Sequence, residues 1–333
     1  MKAAILPDRG VVKVVGDGAR NWLHGLVTAD TLKLTPGTAR FTALLTPQGK
    51  IIADFIVVEA PAADGGGFFL DIPRALGTTL VEKLNLYKLR AKVMIEDLSE
   101  ILGVLAAWGG GPPPYPPPQA GEGRGYPATL ASRGPREGVG LCYADPRLPA
   151  LGLRAMIAPH LAADAAADLG AVLVAASEYE AHRIALGVPR GGIDFSYGDA
   201  FPHETDMDQL GGVDFGKGCY VGQEVVSRIE HRGTARTRAV PVRYDGAAPA
   251  AGGAVMAGER QVGIMGSATG GRGLALLRLD RVADAMSRGE PLTAGGVPIR
   301  LVKPDWARFA FPGENKAAAG ETKPAAGEKT AAE

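Results

Sequence analysis

Five glycines fall within the twelve residues 211–222, and none falls within the ten that follow, 223–232. So many glycines in one place mean a backbone that turns sharply or approaches other backbone closely, because glycine alone visits positive φ without penalty. The texture changes at Gln223. From there to Arg232 there is no Gly or Pro, and Glu224 stands four residues ahead of Arg228, the favourable order for a helical ion pair. The spacing predicts a glycine-rich turn leading into a short helix. Cys219, one of two cysteines, sits just ahead of that helix. Unsatisfied N–H groups and the positive end of the helix dipole favour a thiolate there, and Lys217 lies two residues away. Such a sulfur can serve as nucleophile, redox centre or metal ligand. The alternative is a buried cysteine acting as a small hydrophobe.

The 333 residues carry 36 Lys and Arg against 36 Asp and Glu. The length allows two or three domains, and the balance provides no field for nucleic acid or an anionic membrane. Cys142 and Cys219 cannot build a disulfide framework and are too few for a Cys-rich metal site. Cys142 lies in an apolar run and is expected in the core. The five histidines show no paired metal-ligand spacing, so His203 and His231 are read as surface or channel residues. No apolar h-region precedes Pro7-Asp8-Arg9, and the apolar runs are far shorter than a membrane span. These features predict a soluble cytoplasmic protein.

Along the chain, residues 11–15, 41–46, 51–59, 68–72, 92–96 and 101–108 read as strands. Helices are expected after Asp17, which would cap the first, and from Pro73, which suits a first helical position. Pro47-Gln48-Gly49-Lys50 is a hairpin turn. Residues 109–127 are proline-rich and are read as a surface insertion. Strands at 128–132, 138–143 and 151–157 and helices at 161–169 and 177–186 follow. Beyond the central motif the pattern is all β, with strands near 240–244, 254–256, 261–267, 274–279 and 297–302. Residues 312–333 hold almost no large apolar side chain and are read as a disordered tail. The expectation is an α+β chain of three parts: 1–239, a small barrel over 240–311, and the tail.

At this point the residues carry a likeness. Lys217-Gly218-Cys219-Tyr220-Val221-Gly222-Gln223-Glu224 resembles the signature of the YgfZ family, relatives of the glycine-cleavage T protein, an aminomethyltransferase. Leu26-Val27-Thr28-Ala29-Asp30, Leu45-Thr46-Pro47-Gln48-Gly49-Lys50, Tyr87-Lys88-Leu89-Arg90-Ala91-Lys92-Val93, Gly187-Val188-Pro189 and Leu210-Gly211-Gly212-Val213 support it. The resemblance implies a T-protein-like fold, with ferredoxin-like subdomains around a central channel and a C-terminal β-barrel. It also implies a folate-associated factor that assembles or repairs iron–sulfur clusters and indirectly supports tRNA modification.

Two departures bear on chemistry. The acidic pair used by the T protein reads Ala53-Asp54 here, and Ala185 stands where that enzyme holds the pterin with a glutamate. An alanine accepts no hydrogen bond. The chain is therefore expected not to turn over an aminomethyl donor, although a tetrahydrofolate-dependent aminomethyl or methyl transferase stays as an alternative. For a bound tetrahydrofolate the resemblance points to Asp71, Arg90, Tyr179 and Asp54. A single thiolate cannot hold a cluster, which wants about four ligands. Cys219 is thus expected to share a transient cluster with an A-type carrier protein. Lys217 would sustain the anion, Gln223 and Glu224 would fix the loop through backbone N–H groups, and Gly218, Tyr220 and Gly222 would shape it. Iron–sulfur client enzymes are the other expected partners, with no direct nucleic acid or membrane. A non-catalytic interaction module, needing neither thiol nor folate, is the second alternative.

Overall fold

The computed structural model describes residues 1–62, 65–110, 141–233 and 235–313. In chain order the first half comprises β1 (Lys2–Leu6), β2 (Arg9–Val15), α1 (Ala19–His24), β3 (Ala39–Leu45), β4 (Ile51–Glu59), β5 (Phe68–Pro73), α2 (Gly77–Lys88), β6 (Met94–Asp97) and β7 (Gly103–Trp108). Then come β8 (Cys142–Ala144), β9 (Leu153–Ile157), α3 (Ala162–Asp168), β10 (Val172–Leu173), α4 (Ala176–Leu186) and α5 (Gln223–Arg232). The last part is β11 (Thr237–Tyr244), β12 (Ala254–Ala257), β13 (Arg260–Thr269), β14 (Arg272–Arg278), α6 (Leu279–Ser287), β15 (Leu292–Ala294) and β16 (Val297–Leu301).

Two five-stranded sheets form the body, one in the order β10-β1-β7-β9-β8 and the other β3-β4-β5-β2-β6. Period-two alternation assigns their faces. Ala4 and Leu6 of β1, Val104, Ala106 and Trp108 of β7, Val11 of β2 and Ile56 and Val58 of β4 meet in one shared core. The intervening residues turn outward. Ala3, Leu105 and Ala107 pack under α3 with Ala162, Ala165 and Ala166. On the other sheet, Val12, Val14, Phe55, Val57 and Leu70 pack under α1 and α2 with Leu23, Leu80 and Leu84. The sheets are thus apolar on both faces, as their near-continuous hydrophobic runs require. The remaining strands close into a barrel in the order β11-β14-β13-β12-β15-β16. The expected α+β architecture with a C-terminal barrel is the observed one.

Several local expectations are corrected. Gly18, at φ 83°, occupies the cap of α1, and no side chain caps it. Pro73 stays in the β5 ladder opposite Arg9, so α2 begins only at Gly77, after the single turn Arg74–Leu76. The C-terminal part is not all β: α6 buries Leu279, Val282 and Ala285 in the barrel core, a helical spacing embedded among strands. β1 and β10 were not expected, being short and without a β-branched pattern. Residues 111–140 and 314–333, which hold most of the proline-rich segment, the strand at 128–132 and nearly all of the tail, lie outside the described residues. Among the described residues, no helix is long and apolar enough to cross a membrane.

Candidate functional site

Three of the motif stretches converge. Thr28, fully buried, donates its hydroxyl to the Gly212 carbonyl at 2.5 Å and accepts from Ala43 N–H at 2.9 Å. Asp214 N–H donates to the Thr28 carbonyl at 3.0 Å, so the stretch 26–30 is tied directly to the glycine segment. Gly222 adopts φ 81° and lies against the hairpin turn. A Cβ there would fall 2.5 Å from the Thr46 carbonyl oxygen and 3.0 Å from the Gly49 Cα. This close backbone approach is what the glycine permits. Gly222 then caps α5, which runs over Gln223–Arg232 as the spacing predicts, with Glu224 paired to Arg228 at 2.6 Å. Val226 of that helix is fully buried in the shared core.

Lys217 is the bolt of the assembly. Its Nζ donates to the carbonyls of His24 at 2.6 Å, Val27 at 2.6 Å and Ala29 at 3.0 Å. Burial draws its pKa down to about 8, against the opposing pull of Asp30 and Asp214. The expected task of this lysine, displaying positive charge beside the thiol, is replaced by an inward one, because all three N–H donors are engaged with backbone carbonyls of residues 24, 27 and 29. Glu224 likewise pairs with Arg228 rather than with loop N–H groups, and the Gln223 N–H donates to the Tyr220 carbonyl at 3.3 Å. Tyr220 is buried, and burial pushes its hydroxyl up to about 12. Cys219 stands exposed on this rigid base, with Gly216 and Gly218 around it. Three residues separate it from the first residue of α5, so it is not part of the helix's first turn.

His24 completes the neighbourhood. Its Nδ1 lies 3.1 Å from Asp30 Oδ1, and its Nε2 is directed toward Gly218, 3.9 Å from where a Cβ of that residue would stand. Burial and the Lys217 charge lower its pKa, so the ring is neutral at neutral pH. Cys142 is partly buried in sheet packing, where burial pushes its thiol up to about 12. His203, Asp208 and Glu230 bring ligand atoms within 4.8 Å of one another, yet both Asp208 oxygens accept from Arg238, whose charge opposes a cation.

The expected folate residues lie elsewhere. A cavity of about 240 Å³ is lined by Arg9, Asp54, Arg154, Tyr179, Arg190 and Tyr197, among others. Cys219 and Arg90 are not in its lining, so the thiol does not stand at the mouth of the cavity. Arg90 is exposed beyond the end of α2. Asp71 is wholly buried: Oδ1 accepts from Arg9 at 2.6 Å, and Oδ2 accepts from Arg154 at 2.6 Å and from the Tyr143 hydroxyl at 2.8 Å. Tyr179 accepts from Arg154 at 2.9 Å, and its ring meets Trp108 edge-on. Asp54 accepts from the Tyr197 hydroxyl. Ligand pockets usually run from about 300 Å³ upward, and no buried side-chain polar atom of this lining lacks a partner. These residues do not fit a pterin held through Asp71 and Tyr179.

Comparison with known proteins decides the family. Residues 236–309 match the family described as CAF17, C-terminal beta-barrel domain. The iron–sulfur cluster assembly factor IBA57, mitochondrial, of Mus musculus is 30% identical over 90% of this chain and 84% of its own length. The homolog from Pyricularia oryzae is 30% identical over 87% of this chain and 75% of its own. The chain belongs to the IBA57 family.

The IBA57 homolog of Mycosarcoma maydis is 35% identical over 73% of this chain, which spans 57% of that relative's length. The aminomethyltransferase T of the glycine cleavage system from Bartonella henselae superposes with a TM-score of 0.64, covering 93% of this chain and 87% of its own, at 14% identity. That likeness shows the T-protein fold. The IBA57 relatives also correct the expected cytoplasmic location, since their names place them in mitochondria. A balanced charge and two cysteines do not distinguish one reducing compartment from another.

Sequence reasoning overlooked the ionic core of this IBA57-family fold. Arg154 is buried in β9 and joins Asp71 to Asp145, while Arg183 of α4 joins Asp194 to Glu180. A lone arginine in the apolar run Leu153-Arg154-Ala155-Met156-Ile157 was the available signal, because a buried cation needs carboxylate partners.

Proposed function

We propose that this chain assembles iron–sulfur clusters by presenting Cys219 as one ligand of a cluster shared with a carrier protein. The observation that carries the reading is an exposed thiol on a base where three motif stretches lock together through Thr28, Lys217 and Gly222. A lone thiolate leaves most of the roughly four ligand positions open, so a partner must fill them. An A-type carrier supplies such thiolates, and Leu32 and Phe215, the latter four residues ahead of Cys219, expose apolar surface. Lys33 joins their two segments through Asp214 at 2.9 Å. Family membership supports the iron–sulfur assignment. Clients under this reading are iron–sulfur enzymes, including those that modify tRNA. No step runs through tetrahydrofolate, given the occupied acceptors around Asp71. The test is anaerobic mixing with a carrier holding a [2Fe–2S] cluster, followed by visible absorption. Wild type gives a new cluster spectrum in a stable complex, and Cys219→Ser gives none while keeping its fold. An unchanged spectrum and complex with C219S would favour the thiol-free interaction module instead.

A further inference from the structure

We propose that the turn Lys88-Leu89-Arg90-Ala91, part of a motif that neither the cavity nor the Cys219 base employs, is a docking contact for the carrier protein that shares the cluster; the proposal rests on the iron–sulfur reading above. The partner's matching surface is an apolar hollow rimmed by carboxylates. The first ground is the backbone. Leu89 adopts φ 44° and ψ −107°, and the Ala91 N–H donates to the Lys88 carbonyl at 2.7 Å across it. This is a turn of the II′ kind, whose first central position favours glycine because a Cβ crowds the backbone there. A bulky residue held in such a conformation is strained, and strain of this sort gathers at ligand clamps and binding segments. Within the chain nothing offsets it. Leu89 is 89% exposed, so it buries almost no apolar area on folding.

The second ground is the company that Leu89 keeps. Leu86, three residues earlier in α2, is 69% exposed, and Met94, which opens the edge strand β6, is 59% exposed. From Lys83 to Ile95 the chain carries four cations, Lys83, Lys88, Arg90 and Lys92, and no acid. Among the described residues none of the four has an ion-pair partner. Apolar side chains set among unpaired cations complement an acidic surface with an apolar centre, the charges speeding encounter and the side chains holding the complex. The third ground is position. Trp22 of α1 donates its Nε1–H to the Tyr87 carbonyl at 3.1 Å, and two residues on, the His24 carbonyl accepts from Lys217 at 2.6 Å. Trp22, Tyr87 and Val221 pack on one hydrophobic cluster, and Val221 lies two residues beyond Cys219. The turn and the thiol loop thus flank a helix of six residues, about 9 Å long, a span that one ordinary protein interface covers.

The experiment titrates the full chain with an A-type carrier in its [2Fe–2S] form by calorimetry and reads the cluster by visible absorption at saturation. Leu89→Gly should weaken binding about tenfold and yet melt a few degrees higher, because glycine accepts the turn geometry. Its spectrum at saturation should match that of the wild type, since Cys219 is untouched. Arg90→Glu should slow association and reduce its salt dependence. Wild-type affinity in both L89G and R90E overturns the docking contact and leaves Cys219 ligation standing. A lower melting temperature in L89G with unchanged affinity gives Leu89 a structural role and overturns it as well. Binding to phosphatidylserine vesicles that depends on Leu89, with carrier affinity unaffected by L89G, assigns the turn to a membrane instead. Failure of the wild type to form the complex, or an unchanged cluster spectrum in C219S, removes the iron–sulfur reading and the docking contact with it.

Discussion

Lys217 shows how one side chain can set a loop. Three carbonyls, those of Val27 and Ala29 buried and that of His24 partly so, converge on its ammonium, and each would lose this partner if the amine were removed. Lys217→Met should therefore destabilise the chain by roughly 2–4 kcal/mol, read from urea unfolding, since orphaned buried acceptors keep their desolvation cost. Asp206 has the opposite character. It is wholly buried at φ 59°, one carboxylate oxygen has no partner, and Arg238 is committed mainly to Asp208. Burial raises its pKa well above the ordinary value. A raised folded pKa means that the native state holds the proton more tightly. Its stabilising contribution is present below the unfolded value, near 3.9, and is lost as pH rises toward the folded one. Asp206→Asn keeps a neutral side chain that tolerates the left-handed conformation. It should raise stability at pH 8 by about 1 kcal/mol and flatten the fall that sets in as pH rises above about 4. Thermal melts at the two pH values check this.

At the scale of elements, the helix and the hairpin turn position the thiol jointly. α5 starts where the sequence predicts, but its placement depends on Gly222 meeting the turn at Thr46 and Gly49. Gly222→Ala adds a methyl group 2.5 Å from a carbonyl oxygen at φ 81°. It should cost about 1–3 kcal/mol and displace the Cys219 loop, which faster alkylation or proteolysis of that loop would reveal. A substitution that left both stability and loop protection unchanged would show that the close approach is not what fixes the motif. The barrel is joined to the body in a comparable way. Asp194 Oδ1 accepts from both the N–H and the hydroxyl of Ser267, while Oδ2 pairs with Arg183 of α4.

For the whole molecule, the two sheets enclose an ionic network rather than an open apolar channel. Asp71 and Asp145 are desolvated, yet Arg9, Arg147 and Arg154 hold both carboxyls below the usual carboxylate range. A depressed folded pKa contributes stability above the unfolded value, and that contribution is lost as pH falls through the folded one. The chain should thus lose stability steeply below about pH 4, where the unfolded carboxylates take up protons first. Asp145→Asn should be less stable at pH 7 and show a shallower acid limb, measured by denaturant unfolding at pH 7, 4 and 3. The same network engages Asp71 and the Tyr179 hydroxyl, two of the groups expected to contact a folate.

The sequence by itself determined what local spacing controls: the strands with alternating apolar residues, the α5 boundaries, the barrel region and the motif around Cys219. Hidden from it were the partners of side chains far apart in the chain. Nothing local to Lys217 says that its amine turns inward to residues 24–29, or that Asp71 answers Arg154 rather than a folate. It also could not place Arg90 outside the cavity or His24 beside Gly218. Those pairings are decided by desolvation, which forces each buried charge to find a counter-charge or acceptor across the fold. Only the packing of the sheets and helices determines which one lies within reach.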